Sequence, residues 1–276
     1  CMRNTLKAAT LESKFPLLAV EADCIISKDA DITAVFEVEL PELFTVTAAE
    51  YEAIHAAWAK AIKVLPNYTV VHKQDWFIRE DYRSQTDNEN LSFLSRSYEM
   101  HFNERPFLNH KCYLYLTKTT KERMRMQSSF SSLCRGFIIP KEVDKDTTAH
   151  FLDTVGQFAR IVNDTGLVHL RRLVGDEITG TEDKAGLVEK YFCLSMENTT
   201  ALEDIELGDD GLRVGDKHVS VHTLSELDAL PNKVGTDCRY ERLSTDKSDC
   251  KLSFASPVGL LLSCNHLYNQ YIFLDD

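Results

Sequence analysis

Apolar residues occupy every second position of ITAVFEVEL, residues 32–40 of the chain, and the positions between them are polar except for Val35. Such alternation is typical of a strand with one buried face and one face in water. The stretch LLAVEADCIIS lies before it, separated by the turn KDAD. We therefore predict a hairpin. Its buried positions in the second arm are Ile32, Ala34, Phe36, Val38 and Leu40.

The segment that follows the hairpin changes to a helical period. Thr47 and Glu50 have the spacing of a capping box, in which each side chain satisfies a free backbone N–H at the start of a helix. Apolar residues then recur every three or four positions as far as Leu65, and Pro66 ends the run. This pattern predicts an amphipathic helix that lies on a sheet.

The rest of the first half continues to mix strands and helices. Residues 68–78 and 111–117 are rich in β-branched and aromatic residues, which indicates two strands. A helix is predicted between them, with Leu91, Leu94, Tyr98 and Phe102 on one side. The resulting order ββαβαβ predicts an α+β fold with helices packed on a mainly antiparallel sheet. A ferredoxin-like first half is the simplest architecture of this kind.

The second half shows the same mixture in shorter pieces. Helical spacing connects Phe151, Val155 and Phe158, and LVHLRRLV follows as a strand. A further helix is predicted to start at Thr181, and short strands are predicted around ALEDIEL, GLRVGDKHVSVHTL, CRYERLS and CKLSFA. Because residues 141–147 are almost wholly polar, we predict two subdomains, 1–146 and 147–276.

Charge is unevenly distributed along this chain of 276 residues, whose formal net charge is −12. Residues 147–276 carry ten of these excess negative charges, so that half should repel nucleic acid. Residues 111–145 instead hold eight Lys and Arg against three Asp and Glu. The basic stretch is either a solvated loop or a contact for a partner, and the residues proposed for that contact are Lys121, Arg123 and Arg125.

Motifs that would carry catalysis or bind a cofactor are missing from the sequence. No Gly is followed by Lys, as a phosphate-binding loop requires, and neither GxGxxG nor GxSxG occurs. We predict no catalytic residue, no nucleotide-binding residue, no metal site and no cofactor in this chain. The eight cysteines are scattered singly, which is typical of buried thiols in a reducing compartment.

Two weaker signals for chemistry occur in the sequence. Cys134 lies in a basic stretch that could lower the pKa of a thiol, but no motif supplies a partner His. His218 and His222 are four apart, yet KHVSVHTL alternates as a strand, so we expect two histidines on one sheet face and not a zinc site. Trp58 and Trp76 lie at core-like positions, which argues against a stacking platform for bases.

Long phrases of the chain resemble one known family. Residues 2–78, from MRNTLKAATL to HKQDWFI, look like the opening of the TraG-family conjugation ATPases of Bacteroidetes-type conjugative transposons. SFLSRSYEMHFNERPFLNHKCYLYLTK and NHLYNQYIFLDD resemble later segments of the same proteins. These are similar to the large VirB-type ATPases of type IV secretion, whose Walker motifs lie in a RecA-like motor after an α+β region.

The resemblance implies a non-catalytic N-terminal region that docks on other conjugation and secretion proteins. It also implies a cytoplasmic location peripheral to the inner membrane, ATP and Mg²⁺ in an absent C-terminal motor, and a homo-oligomeric full-length protein. We expect the strand at residues 267–274 to run toward a buried or shared surface and to lead to that motor. Two other functions stay open: an enzyme of unrecognised type, using Cys134 or a His, and a nucleic-acid-binding module that uses residues 111–145.

Overall fold

The computed structural model of the chain describes most of the sequence, with gaps. The described residues are 15–29, 31–42, 45–82, 92–103, 105–119, 145–197, 203–209, 211–223, 238–239, 251–252 and 264–275. The helices in these ranges are α1 (Ala48–Val64), α2 (Phe93–Asn103), α3 (Lys145–Asn163), α4 (Gly175–Thr179) and α5 (Leu187–Cys193).

The strands in the same ranges are numbered in chain order. They are β1 (Leu17–Glu21), β2 (Cys24–Ser27), β3 (Ile32–Glu39), β4 (Thr69–Asp81), β5 (Pro106–Lys118), β6 (His169–Arg172), β7 (Gly180–Thr181), β8 (Lys184–Ala185), β9 (Ile205–Gly208), β10 (Gly211–Val214), β11 (Lys217–Val219), β12 (Cys238–Arg239), β13 (Lys251–Leu252) and β14 (His266–Leu274).

The main sheet has the strand order β1-β2-β3-β5-β4-β14, and β6 also pairs with β3. Strands β2, β5 and β6 each run antiparallel to β3. The chain order β3-α1-β4-β5-α3-β6, with the spatial order β6-β3-β5-β4, is the ferredoxin-like arrangement, into which α2 is inserted between β4 and β5. The predicted α+β class, with helices packed on a mainly antiparallel sheet, is confirmed.

Helix α1 begins where the sequence predicts. The backbone N–H of Thr47 donates to Glu50 Oε2 at 2.8 Å, and the backbone N–H of Glu50 donates to Thr47 Oγ1 at 3.3 Å, which completes the capping box. The backbone N–H and the hydroxyl of Thr47 both donate to the Glu50 carboxylate and hold the pKa of that carboxyl below its usual value, because they favour the ionised form.

The core lies between the sheet and two helices. Helix α3 buries the predicted apolar face, including Phe151, Val155 and Phe158, against alternate residues of β3 and β5. Trp58 of α1 meets Phe158 edge to face, with the ring centroids 5.7 Å apart. Burying a side chain of this size contributes about 1.5–3 kcal/mol, so the contact fixes α1 beside α3.

The contacts divide the chain into two compact units that interrupt each other in sequence. The first comprises residues 1–75, 111–200 and 269–276, and the second comprises residues 76–110 and 201–268. The first unit holds the ferredoxin-like core, and the second holds α2 and the three-stranded sheet β11-β10-β9. This division crosses residue 146, the predicted boundary, because α3 and β6 complete the layer that begins with β3.

The predicted helix start at Thr181 is wrong. Gly180 and Thr181 pair with Ala185 and Lys184 in the small hairpin β7-β8, and α5 begins only at Leu187. Gly180 has a φ of 96°, and a Cβ on Gly186 would lie 2.2 Å from the Gly180 nitrogen. The two glycines let the chain reverse here, which a helix from Thr181 would not allow.

Among the described residues, no helix is long and apolar enough to cross a membrane. The longest, α3, spans 19 residues. It is amphipathic, with Phe151, Val155 and Phe158 buried while Asp153 and Arg160 are exposed.

Candidate functional site

The residues proposed from sequence as a partner contact lie outside the described ranges. Lys121, Arg123 and Arg125 fall in the gap between residues 119 and 145, and so does Cys134. Their roles therefore stay predictions.

The expectation for the two histidines is only partly right. His218 lies on β11, but this strand ends at Val219, so His222 follows it and does not share its sheet face. The described residues contain no group of three His, Cys, Asp or Glu side chains that could hold a metal ion. The pairing of β11 with β10 stops at Val219 opposite Leu212, next to the start of β10 at Gly211, although the alternation in the sequence continues.

Among the described residues, Cys24, Cys112 and Cys193 are buried, as predicted, and Cys264 is exposed; none of these four forms a disulfide. The clearest polar setting belongs to Cys112 on β5, beside the ion pair between Lys73 and Asp75. Burial raises the pKa of the Cys112 thiol to about 12, although Lys73 opposes this shift. A thiol with this pKa is protonated at neutral pH, so it is a packing residue and not a nucleophile.

The candidate functional site is the open edge of the main sheet at β14. Among the described strands, β14 is a hydrogen-bonded neighbour of β4 only. The Tyr68 N–H donates to the Leu274 carbonyl at 2.7 Å, so the start of β4 meets the end of β14 and the two strands are antiparallel. In an antiparallel strand, the backbone N–H and C=O groups of successive residues point alternately to the two sides of the strand. Those of Leu274 point to β4, so those of Phe273 and Tyr271 point to the open side.

Large apolar side chains of β14 remain in water on both faces of the sheet. Tyr271 is 53% exposed, Phe273 51% and Ile272 47%. From Leu267 to Leu274 the strand has no charged residue, Pro or Gly. A long uncharged edge strand is a template for pairing with another strand, and proteins usually block such edges with charges or Pro. We call residues 269–274 the edge surface.

A network of side chains holds the edge surface on the sheet. The His72 imidazole is stacked between Tyr115 of β5 and Tyr271 of β14, with centroid separations of 4.9 and 4.3 Å. Asn269 Oδ1 accepts from Gln74 Nε2 at 2.9 Å and lies 2.8 Å from His72 Nε2. The Tyr115 hydroxyl donates to Gln74 Oε1 at 2.9 Å, which extends the network to β5.

The titratable side chains of the network are uncharged at neutral pH. Burial lowers the pKa of His72, and the hydrogen bond with Asn269 only partly opposes this shift, so the imidazole is uncharged at neutral pH. Burial raises the pKa of the Tyr115 and Tyr271 hydroxyls. The neutral His72 then donates its Nε2 proton to Asn269, and the arrangement serves binding better than acid–base chemistry.

Sequence reasoning recognised β14 as a strand but missed this network. Its residues are distant in sequence, since 197 positions separate His72 from Asn269. One signal was present: His72 and Gln74 on β4, and Asn269 and Tyr271 on β14, each lie two apart and so share a face. Only the pairing of β4 with β14 brings the two pairs together.

A second exposed apolar surface lies in the other unit, on α2. Phe93 is 83% exposed, Leu94 78% and Tyr98 65%, although the sequence placed Leu94 and Tyr98 on the packed side. The helix itself is confirmed. Of its described side chains only Glu99 is half-buried, and it accepts a hydrogen bond from the Tyr82 hydroxyl at 2.8 Å.

Comparison with known proteins gives one partial match. Residues 4–56 match a family model described as "Domain of unknown function, B. Theta Gene description (DUF3875)". The described part of this segment contains β1, β2, β3 and the first turns of α1, so it includes the strand at the centre of the ferredoxin-like core. No curated protein matches the chain.

Proposed function

We propose that the chain is the non-catalytic N-terminal region of a TraG-family conjugation ATPase, and that it serves docking and assembly with other secretion components at the inner membrane. The resemblance of residues 2–78 and of two later segments supports this proposal. The match of residues 4–56 to a family described from a B. theta gene agrees with a Bacteroidetes-type element. The region acts in the cytoplasm, peripheral to the membrane, and ATP and Mg²⁺ belong to the motor.

The single observation that carries a docking role is the edge surface. It combines a strand edge with which no other described strand pairs and the exposed side chains of Tyr271, Ile272 and Phe273. Addition of a strand would satisfy the outward backbone groups, and the exposed side chains on both faces of β14 would select the partner's side chains. Aromatic side chains that are half-exposed in the free protein are also the residues that most often dominate binding energy once covered.

The test is conjugative transfer from cells in which the full-length gene carries Tyr271→Lys. We expect the transfer frequency to fall by at least about tenfold, because a loss of ~1.4 kcal/mol in docking free energy lowers the association constant by that factor and docking is far from saturation. Tyr51→Lys is the matched control, since Tyr51 is 59% exposed on α1 and is not part of the edge surface. Equal transfer by the two variants at equal protein level would refute the proposal.

A second measurement addresses the absence of catalysis. Calorimetric titration of the purified chain with ATP and Mg²⁺ should give no saturable binding, since the sequence contains no phosphate-binding loop.

Replacement of Lys121, Arg123 and Arg125 by Ala should leave the melting temperature nearly unchanged while weakening attachment to a partner or to anionic membrane. Saturable nucleotide binding would contradict the first expectation, and a large fall in melting temperature would contradict the second.

A further inference from the structure

We infer that β14 pairs antiparallel with β14 of a second copy of this chain, about a two-fold axis at Gln270. The inference rests on the proposed function, because it names the occupant of the edge surface. It starts from the directions of the backbone groups. The Leu274 carbonyl points to β4, where it accepts from the Tyr68 N–H. The outward residues of β14 are therefore the odd-numbered ones, Leu267, Asn269, Tyr271 and Phe273.

The outward residues must face each other when two antiparallel strands pair. An axis at Gln270 places Asn269 opposite Tyr271 of the second copy, and Leu267 opposite Phe273. Each such pair exchanges two backbone hydrogen bonds, so the register forms about eight bonds across the axis. It also overlaps all nine residues from His266 to Leu274, which an axis at Tyr271 would not do.

The side chains suit this register. Tyr268 comes to lie opposite Ile272 of the second copy, and an aromatic residue beside a β-branched one is a favourable cross-strand pair. No charged residue of β14 meets its own copy, so pairing is free of local repulsion although the chain carries a net charge of −12.

The exposed area indicates how strong the association is. Tyr268, Tyr271, Ile272 and Phe273 are each about half exposed. Together they offer roughly 400 Å² per copy, taking ~150–250 Å² as the area of a large side chain. A pair would bury about 800 Å² from these side chains, below the ~1,200 Å² at which stable interfaces begin. The second copy therefore binds reversibly, with a Kd in the micromolar range.

Disulfide trapping reads the register directly. At the axis, Gln270 faces Gln270 of the second copy in a pair without mutual hydrogen bonds, where the Cα atoms are about 4.5 Å apart. This distance lies within the range of a disulfide, so Gln270→Cys should give a covalent dimer on mild oxidation. Ile272→Cys is the matched control on the same face, because residues 272 are about 13 Å apart along the strand in this register. The wild-type chain, oxidised in parallel, gives the baseline from its native cysteines.

Sedimentation velocity supplies an independent readout. The full chain should shift from monomer toward dimer between about 5 and 200 µM, and Phe273→Lys should remain monomeric because a lysine on an edge blocks pairing. Tyr51→Lys should behave as wild type. A monomer throughout this range, or Ile272→Cys that cross-links as well as Gln270→Cys, would overturn the inference.

Failure of the inference can be told apart from failure of the proposed function. Loss of conjugative transfer in Tyr271→Lys without cross-linking of Gln270→Cys would overturn self-pairing, and the proposed function would stand with another polypeptide at the edge. Cross-linking together with normal transfer would support self-pairing and refute the proposed function.

Discussion

Asn269 is the residue whose replacement tests the edge network most directly. Its Oδ1 is the shared acceptor for His72 Nε2 at 2.8 Å and Gln74 Nε2 at 2.9 Å. Two substitutions perturb this acceptor in opposite ways. Asn269→Leu keeps the approximate size and removes the acceptor, whereas Asn269→Asp keeps the shape and adds a negative charge.

The loss of stability in Asn269→Leu follows from the two hydrogen bonds. Each contributes about 0.5–1.5 kcal/mol net, and a buried donor that loses its acceptor costs more than an exposed one. Gln74 is only 2% exposed, so its contribution lies at the upper end. We expect Asn269→Leu to lower the free energy of unfolding by about 2–3 kcal/mol, or the melting temperature by about 5–10 °C.

The pKa of His72 gives a readout that a general loss of packing would not change in the same way. In the wild type, burial lowers this pKa and the hydrogen bond with Asn269 raises it. Asn269→Leu removes the opposing effect, so the pKa of His72 should fall further. Asn269→Asp places a carboxylate beside the imidazole, which favours the imidazolium, so the pKa should rise above the wild-type value.

The assay is an NMR titration of the His72 ring resonances, combined with urea unfolding at pH 7.5. Gln157→Leu is the control for loss of a polar side chain, because Gln157 is exposed on α3, and it should change stability by less than about 0.5 kcal/mol. Equal pKa values of His72 in the two Asn269 variants would show that His72 and Asn269 are not hydrogen-bonded, and the account of the edge surface would fail.

Three further predictions concern the first unit. Phe158→Ala should destabilise it by about 3–5 kcal/mol in urea unfolding, since Phe158 is fully buried against Trp58, while Gln157→Ala on the exposed side of α3 should have little effect. Ala22→Asn should stabilise it by about 0.5–1 kcal/mol in the same assay, because Ala22 has a φ of 50° in the β1-β2 turn and Asn tolerates this region better; an unchanged or lower stability would contradict this. Lowering the pH should destabilise the wild type, since the unfolded His72, with a pKa near ~6.5, binds a proton that the folded one resists. Stability from this source is present above pH ~6.5 and lost as the pH falls from there through the folded pKa, so His72→Phe should show a smaller loss between pH 7.5 and 5.5.

Local signals in the sequence were sufficient for the central helices and strands of the fold. The capping box at Thr47 and the apolar period of α3 predicted both helices, because a helix is specified by residues three or four apart. The helix predicted from Thr181 failed for a related reason. A Thr followed by acidic residues fits a helix start and a tight turn equally. The glycines at 180 and 186 allow the close backbone approach of the turn, so the chain forms the hairpin β7-β8 instead.

Pairing between distant strands could not be predicted in this way. Strand β6, residues 169–172, pairs with β3, which ends at Glu39. Nothing in the sequence of either strand indicates that the two pair. The subdomain boundary expected at residue 146 was placed by the polarity of residues 141–147, whereas the core extends across it. The contact between His72 and Asn269 depends on the β4-β14 register, so the sequence alone could not predict it either.

The composition of β14 and its position in the sheet, taken together, favour a strand as its occupant over a helix. A strand at the edge of an antiparallel sheet usually alternates between apolar and polar residues, but Tyr271, Ile272 and Phe273 are apolar in succession. These side chains point to opposite faces of the sheet, and both faces leave them about half exposed. A docked helix would cover one face only. An added strand lies beside β14 in the plane of the sheet, so it contacts side chains on both faces and satisfies the outward backbone groups at the same time.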